Sequence, residues 1–162
     1  LIAHGYTRGT WSAFECVDLD RDRAEHTPYA GPAQLVVAPL TKWMLVFDDV
    51  KDDRLWLAKA TPREWLENGR RIAVTDAPTR FGTVAFELES HIDDGYVAGA
   101  VTLVPNPVST PSEFLLKLRL PNGAAITAVE IDGMPSDAFD TGSESVLLPA
   151  AAGSRSLRIH VA

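Results

Sequence analysis

The chain has 162 residues, 46% of them apolar and 23% charged, with four tryptophans and a formal net charge of -7. That length suits one ordinary domain with an extension, and the apolar content supports a sizeable core, which excludes a disordered polypeptide. The acidic balance argues against general binding to nucleic acid or to an acidic membrane surface, since both need a basic face, and the single cysteine excludes an internal disulfide framework.

The first residues, "LIAHGYTRGTW", contain no Met and do not read as a signal peptide, so the chain is expected to begin inside a longer polypeptide. In the next stretch, "RGTWSAFECVDL", the carboxylate of Glu15 sits among Trp11, Phe14, Cys16 and Val17. Burying a carboxylate costs several kcal/mol or moves its pKa, so Glu15 calls for a partner. One reading pairs it with Arg8, Arg21 or Arg23. The other makes it an acid or base held against a sugar ring, with Tyr6, Arg8 and Trp11 close in sequence. Cys16 has no obvious cation beside it in sequence and reads as a small buried residue rather than a nucleophile.

"DLDRDR" gives Asp18, Asp20 and Asp22 the spacing that opens a calcium loop. Arg23, however, stands where that loop needs Gly, and Tyr29 where its closing Glu falls. A solvated loop steadied by Arg21 and Arg23 is expected instead. The histidines, at positions 4, 26, 91 and 160, lack metal-ligand spacing, and no phosphate-binding glycine loop or Gly-x-Ser-x-Gly turn is present. The expectation is therefore no metal and no cofactor.

Between Gly31 and Val50, the residues Val36, Leu40, Trp43, Met44 and Phe47 recur at spacings of three and four, as on one face of an apolar helix. Pro32 suits the first turn, whereas Pro39 should kink this helix or divide it in two. From Arg54 onward the period becomes two. Strands are expected over 54–59, 71–76, 82–90, 95–104, 113–120, 124–132, 143–149 and 155–162; the clearest alternation sets Val84, Phe86 and Leu88 against Thr83, Ala85 and Glu87.

Asn122-Gly123, Asp132-Gly133 and Asp94-Gly95 supply tight turns. Between the first two strands, "TPREWLENG" reads as a short helix capped by Thr61, with Pro62 in its first turn and Gly69 after its end. Trp56 and Trp65 could each offer a face to a sugar, but strand alternation for one and an amphipathic turn for the other place both in the core. The pattern predicts a mainly β fold: an antiparallel two-sheet β-sandwich of about eight strands, preceded by an irregular segment and one apolar helix.

"RGTWSAFECVDLDRDRAEHTPYAGPAQLVVAPLTKWML" resembles the last hairpin of the six-hairpin (α/α)6-barrel glycosidases, most closely the α-L-rhamnosidase-like bacterial families. "IAVTDAPTRFGTVAFELES" and "LWLAKATPREWLENGRRI" are similar to parts of the C-terminal β-sandwich that follows such barrels. The resemblance implies that residues 1–50 end a barrel domain and that 51–162 form the sandwich. It also implies that Glu15 is the general base of an inverting glycoside hydrolase, with Arg8 and Trp11 as substrate contacts. The general acid would sit upstream, about 6.5 to 9.5 Å from the base.

The chain departs from the pattern at Phe14, where the family has Trp before the Glu, and matches it only loosely at His26. The implied partners are the upstream barrel domain of the same polypeptide and, through the parent enzyme, a carbohydrate. Alone, this chain should be inactive. The alternative is a stand-alone carbohydrate-binding β-sandwich module.

Overall fold

The computed structural model describes residues 35–162 continuously, together with residues 16–18, 20, 21, 23–25 and 31. The chain divides into two compact units, Leu1–Lys42 and Trp43–Ala162.

In the first unit, β1 (Cys16–Asp18) and β2 (Arg23–Glu25) form an antiparallel hairpin. Its turn is built by Asp18, whose Oδ1 accepts from the backbone N–H groups of Asp20 at 3.1 Å and Arg21 at 3.2 Å, while the Arg21 guanidinium lies 3.6 Å from the same carboxylate. A short acidic side chain that captures its own backbone favours such a turn without any metal. Cys16 is exposed, not buried. The expectation rested on residue type, and a three-residue strand in a two-stranded ribbon does not supply the second layer that buries small side chains in a sandwich.

Helix α1 spans Val37–Leu45. Leu35 is also helical, and Val36 between them is a turn. Pro39 lacks the N–H that the carbonyl of Leu35 would need, so the hydrogen-bond ladder breaks there and resumes when Leu40 N–H donates to the Val36 carbonyl at 3.0 Å. The division expected from Pro39 is thus present. The helix does not reach Val50, however, because the chain passes directly from Leu45 into β3 (Val46–Asp49). Phe47 therefore belongs to a strand. A short apolar run fits either period, and antiparallel pairing of β3 with β4 (Arg54–Leu57) decides between them.

The second unit continues with β5 (Arg71–Thr79), β6 (Gly82–His91), β7 (Tyr96–Pro105), β8 (Glu113–Lys117), β9 (Ile126–Ile131), β10 (Met134–Ser136), β11 (Phe139–Asp140), β12 (Ser145–Leu148) and β13 (Gly153–Val161). All eight expected strands are present. They lie in a six-stranded sheet ordered β10-β9-β13-β7-β6-β5 and a five-stranded sheet ordered β11-β12-β8-β4-β3. Asn122-Gly123 and Asp132-Gly133 take the positive φ angles that tight turns require, 55° and 75°, then 54° and 76°. The second pair closes the β9–β10 hairpin.

Strand alternation turns one side of each sheet inward. Val84, Phe86 and Leu88 of β6, Val97, Val101 and Leu103 of β7, and Leu157, Ile159 and Val161 of β13 meet Leu55, Leu57, Phe114, Leu116, Val146 and Leu148 of the other sheet in one core. Gly82 allows β6 and β7 to close together: its φ is 127°, and a Cβ there would lie 2.1 Å from the Val104 carbonyl oxygen.

One pair departs from the antiparallel rule. β4 and β8 run parallel, with Arg54 beside Glu113 and Trp56 beside Leu115. Three strands, β5, β6 and β7, intervene in the other sheet, so no hairpin joins β4 to β8; four reversals, an even number, return the chain in its starting direction. The "TPREWLENG" segment forms a single 3-10 turn, Arg63–Leu66. Thr61 does not cap it; its buried hydroxyl donates to the Ala58 carbonyl at 3.2 Å.

Candidate functional site

Residues whose neighbours point into the core must themselves point out. On β4, Leu55 and Leu57 are buried and Trp56 faces outward, half-buried. This corrects its assignment to the core, because the alternation expected of an apolar strand places the tryptophan on the solvent side. Trp65 is corrected too: the 3-10 turn buries Leu66 and leaves Trp65 39% exposed.

Strand register carries Trp56 into an apolar row across the outer face of the five-stranded sheet: Phe47 beside Trp56, Trp56 beside Leu115, and Leu115 beside Leu147. Leu115 is only 9% exposed yet stands outside the core cluster. Polar groups flank this row. On one side Arg54 Nε lies 2.5 Å from Glu113 Oε2, and its Nη1 lies 3.4 Å from Asp52. On the other, Asp140 Oδ1 accepts from Ser143 N–H at 2.7 Å, the Ser143 and Ser145 hydroxyls are 2.7 Å apart, and Lys117 Nζ donates to the Ser143 carbonyl at 2.7 Å. The hydrogen bond from the Ser143 backbone holds the Asp140 carboxyl below the usual carboxylate range.

Between these flanks lies an open groove of about 390 Å³, with Trp56 and Leu115 among its lining residues and Asp137 and Ala138 along one side. Its size falls near the lower end of small-molecule sites. The Trp56 ring is held by Lys59, whose Nζ lies 4.9 Å from its centroid and 4.2 Å from that of Phe47. Trp56 Nε1 is buried and has no hydrogen-bond partner among the described residues. Trp43 meets Phe47 edge-on at 6.4 Å and extends the aromatic surface.

The outer face of the six-stranded sheet has different chemistry. Small residues occupy much of it, with Ala85 beside Thr102 and Thr102 beside Ser154. Tyr96 cannot offer a ring face, since His91 stacks on it at 4.8 Å and the Arg158 guanidinium lies 3.8 Å over it. Arg71 and Glu87 pair at 2.5 Å, and that hydrogen bond lowers the Glu87 pKa and raises that of Arg71.

Elsewhere, Arg63 grips Glu144 through two bonds, at 2.7 and 2.9 Å, which lowers the Glu144 pKa; Arg63 also donates to the Leu120 carbonyl. His160 lies 3.2 Å from Glu130 and His91 3.4 Å from Glu89. Among the described residues, no group of three or more His, Cys, Asp or Glu side chains could hold a metal.

Glu15, Arg8 and Trp11 lie outside the described residues. The groove was missed in the sequence for a specific reason. Arg54 and Glu113 become neighbours only through the parallel β4–β8 pairing, which an all-antiparallel expectation omits. Trp56, already a candidate sugar-stacking residue, was the one available signal. No protein-family model matches the chain, and no curated protein matches its sequence.

Proposed function

We propose that this chain is the C-terminal part of a bacterial glycoside hydrolase, in which a non-catalytic β-sandwich buttresses an (α/α)6 catalytic barrel. The observation that carries the reading is the junction between α1 and β3. A helix normally ends with carbonyl groups that lack helical partners. Here Ala58 N–H donates to the Leu45 carbonyl at 2.7 Å and Ala60 N–H to the Met44 carbonyl at 3.1 Å. The two carbonyls that end the helix are thereby taken up by the chain that follows β4, while Trp43 just before them remains 51% exposed. An apolar helical segment that passes directly into the first strand of the five-stranded sheet suits a sandwich continuous in sequence with a helical domain.

In this reading Glu15 is the general base, Arg8 and Trp11 contact the sugar, and the general acid comes from the upstream barrel. The test uses the complete polypeptide and a panel of aryl glycosides that includes the α-L-rhamnoside. Glu15→Gln lowers turnover by orders of magnitude and leaves sugar binding largely intact. Near-normal turnover would overturn the catalytic assignment.

A further inference from the structure

We propose that the groove on the outer face of the five-stranded sheet is a binding site for a neutral saccharide. Three observations converge on that chemistry. Trp56 and Leu115 provide an apolar surface of the kind that covers the C–H face of a pyranose, and Lys59 lies over the Trp56 ring without sealing the groove. Groups along the groove match the donors and acceptors of sugar hydroxyls: Arg54 presents a guanidinium, while Glu113, Asp140 and the Ser143 hydroxyl present acceptors.

Charge then selects among sugars. Arg54 lines the groove with three carboxylates, Glu113, Asp137 and Asp140, and Lys59 and Lys117 stand beside them, so the local charges nearly cancel on a chain of formal net charge -7. A neutral sugar fits such a site, and an anionic one gains no net attraction from it. The Asp137 carboxylate makes no hydrogen bond or ion pair to other described residues, so it is open to a ligand hydroxyl.

The groove is also held in shape before any ligand arrives. Asp140 is tied to Ser143, Ser143 to Ser145 and Lys117, and Ala138 accepts from Leu147 N–H at 2.8 Å. A fixed polar rim around an aromatic floor lowers the ordering cost of binding. The site does not depend on the hydrolase reading, since every residue in it lies in the sandwich.

The test is isothermal titration calorimetry of the full chain against neutral oligosaccharides of glucose, mannose, galactose and rhamnose, with oligogalacturonate as the anionic probe. At least one neutral oligosaccharide binds, and oligogalacturonate binds at least about tenfold more weakly. Trp56→Ala weakens the neutral ligand at least about tenfold, Asp140→Asn about threefold, and Trp65→Ala leaves it unchanged.

Failure of every neutral oligosaccharide to bind at millimolar concentration overturns the proposal, as does a preference for oligogalacturonate. Unchanged affinity in a folded Trp56→Ala chain has the same meaning. Should Trp56→Ala not fold, Asp140→Asn decides, because its side chain is exposed and its loss does not open the core. Loss of glycosidase activity in Glu15→Gln with the groove still binding sugar would separate the two assignments.

Discussion

The two sheets share one core and differ on their outer faces. The six-stranded face is made of small side chains and satisfied pairs: Ala85, Thr102 and Ser154 lie in line, Glu87 is held by Arg71, and the Tyr96 ring is in contact with His91 and Arg158. The five-stranded face carries the row Phe47, Trp56, Leu115 and Leu147, an unpartnered indole N–H among the described residues, and a groove with an open carboxylate. Both faces come from strands with the same alternation. The composition of the outward positions, which the core does not constrain, separates a face of small side chains and ion pairs from one with an aromatic row and a larger open groove.

The largest expected effect tests what the faces share. Leu116 is fully buried at the centre of the five-stranded sheet. Leu116→Ala is expected to cost about 2–5 kcal/mol in urea unfolding, and probes on the two sheets should lose structure together, since one core supports both. Separate transitions would make the two sheets independent folding units.

The next effect sharpens the difference between faces. Trp56→Ala should weaken saccharide binding at least about tenfold. Its counterpart on the other sheet, Tyr96→Ala, should cost about 1 kcal/mol of stability through the lost stack and cation contact and leave binding unchanged. Calorimetric titration and thermal melting of the two variants separate these outcomes.

The smallest effect is a pH dependence. Glu87 and Glu144 have pKa values lowered in the folded state, first by their hydrogen bonds to Arg71 and Arg63. For a carboxylate of lowered pKa, the added stability is present above the unfolded value, about 4, and is lost as pH falls through the lower folded value. The melting temperature should therefore fall on acidification in this range. Glu144→Gln and Glu87→Gln should each flatten that fall slightly, because surface pairs contribute little. An acid limb as steep as that of wild type in both variants would remove these pairs from the account.

The parts of the fold legible in the sequence are those with local causes. Val84, Phe86 and Leu88 alternate because one side of β6 faces a core, and Asn122-Gly123 and Asp132-Gly133 turn because their residues accept positive φ. Pro39 announces the helix break because it has no N–H to give. What escaped has non-local causes. The apolar run at Leu45, Val46 and Phe47 fits helix or strand, and only pairing with β4 makes it β3. The outward direction of Trp56 follows from which strand neighbours enter the core, and its groove follows from a parallel pairing across 59 positions, Arg54 to Glu113. Residue type could nominate Trp56, but topology was needed to supply its polar companions.

The most direct test of the contrast between faces is a two-dimensional NMR titration of the full chain with the tightest-binding neutral oligosaccharide. Amide shifts should cluster at 54–56, 113–115 and 137–147, while those at 85–87 and 98–102 stay in place. Shifts confined to the six-stranded face, or no shifts at millimolar sugar, would contradict it.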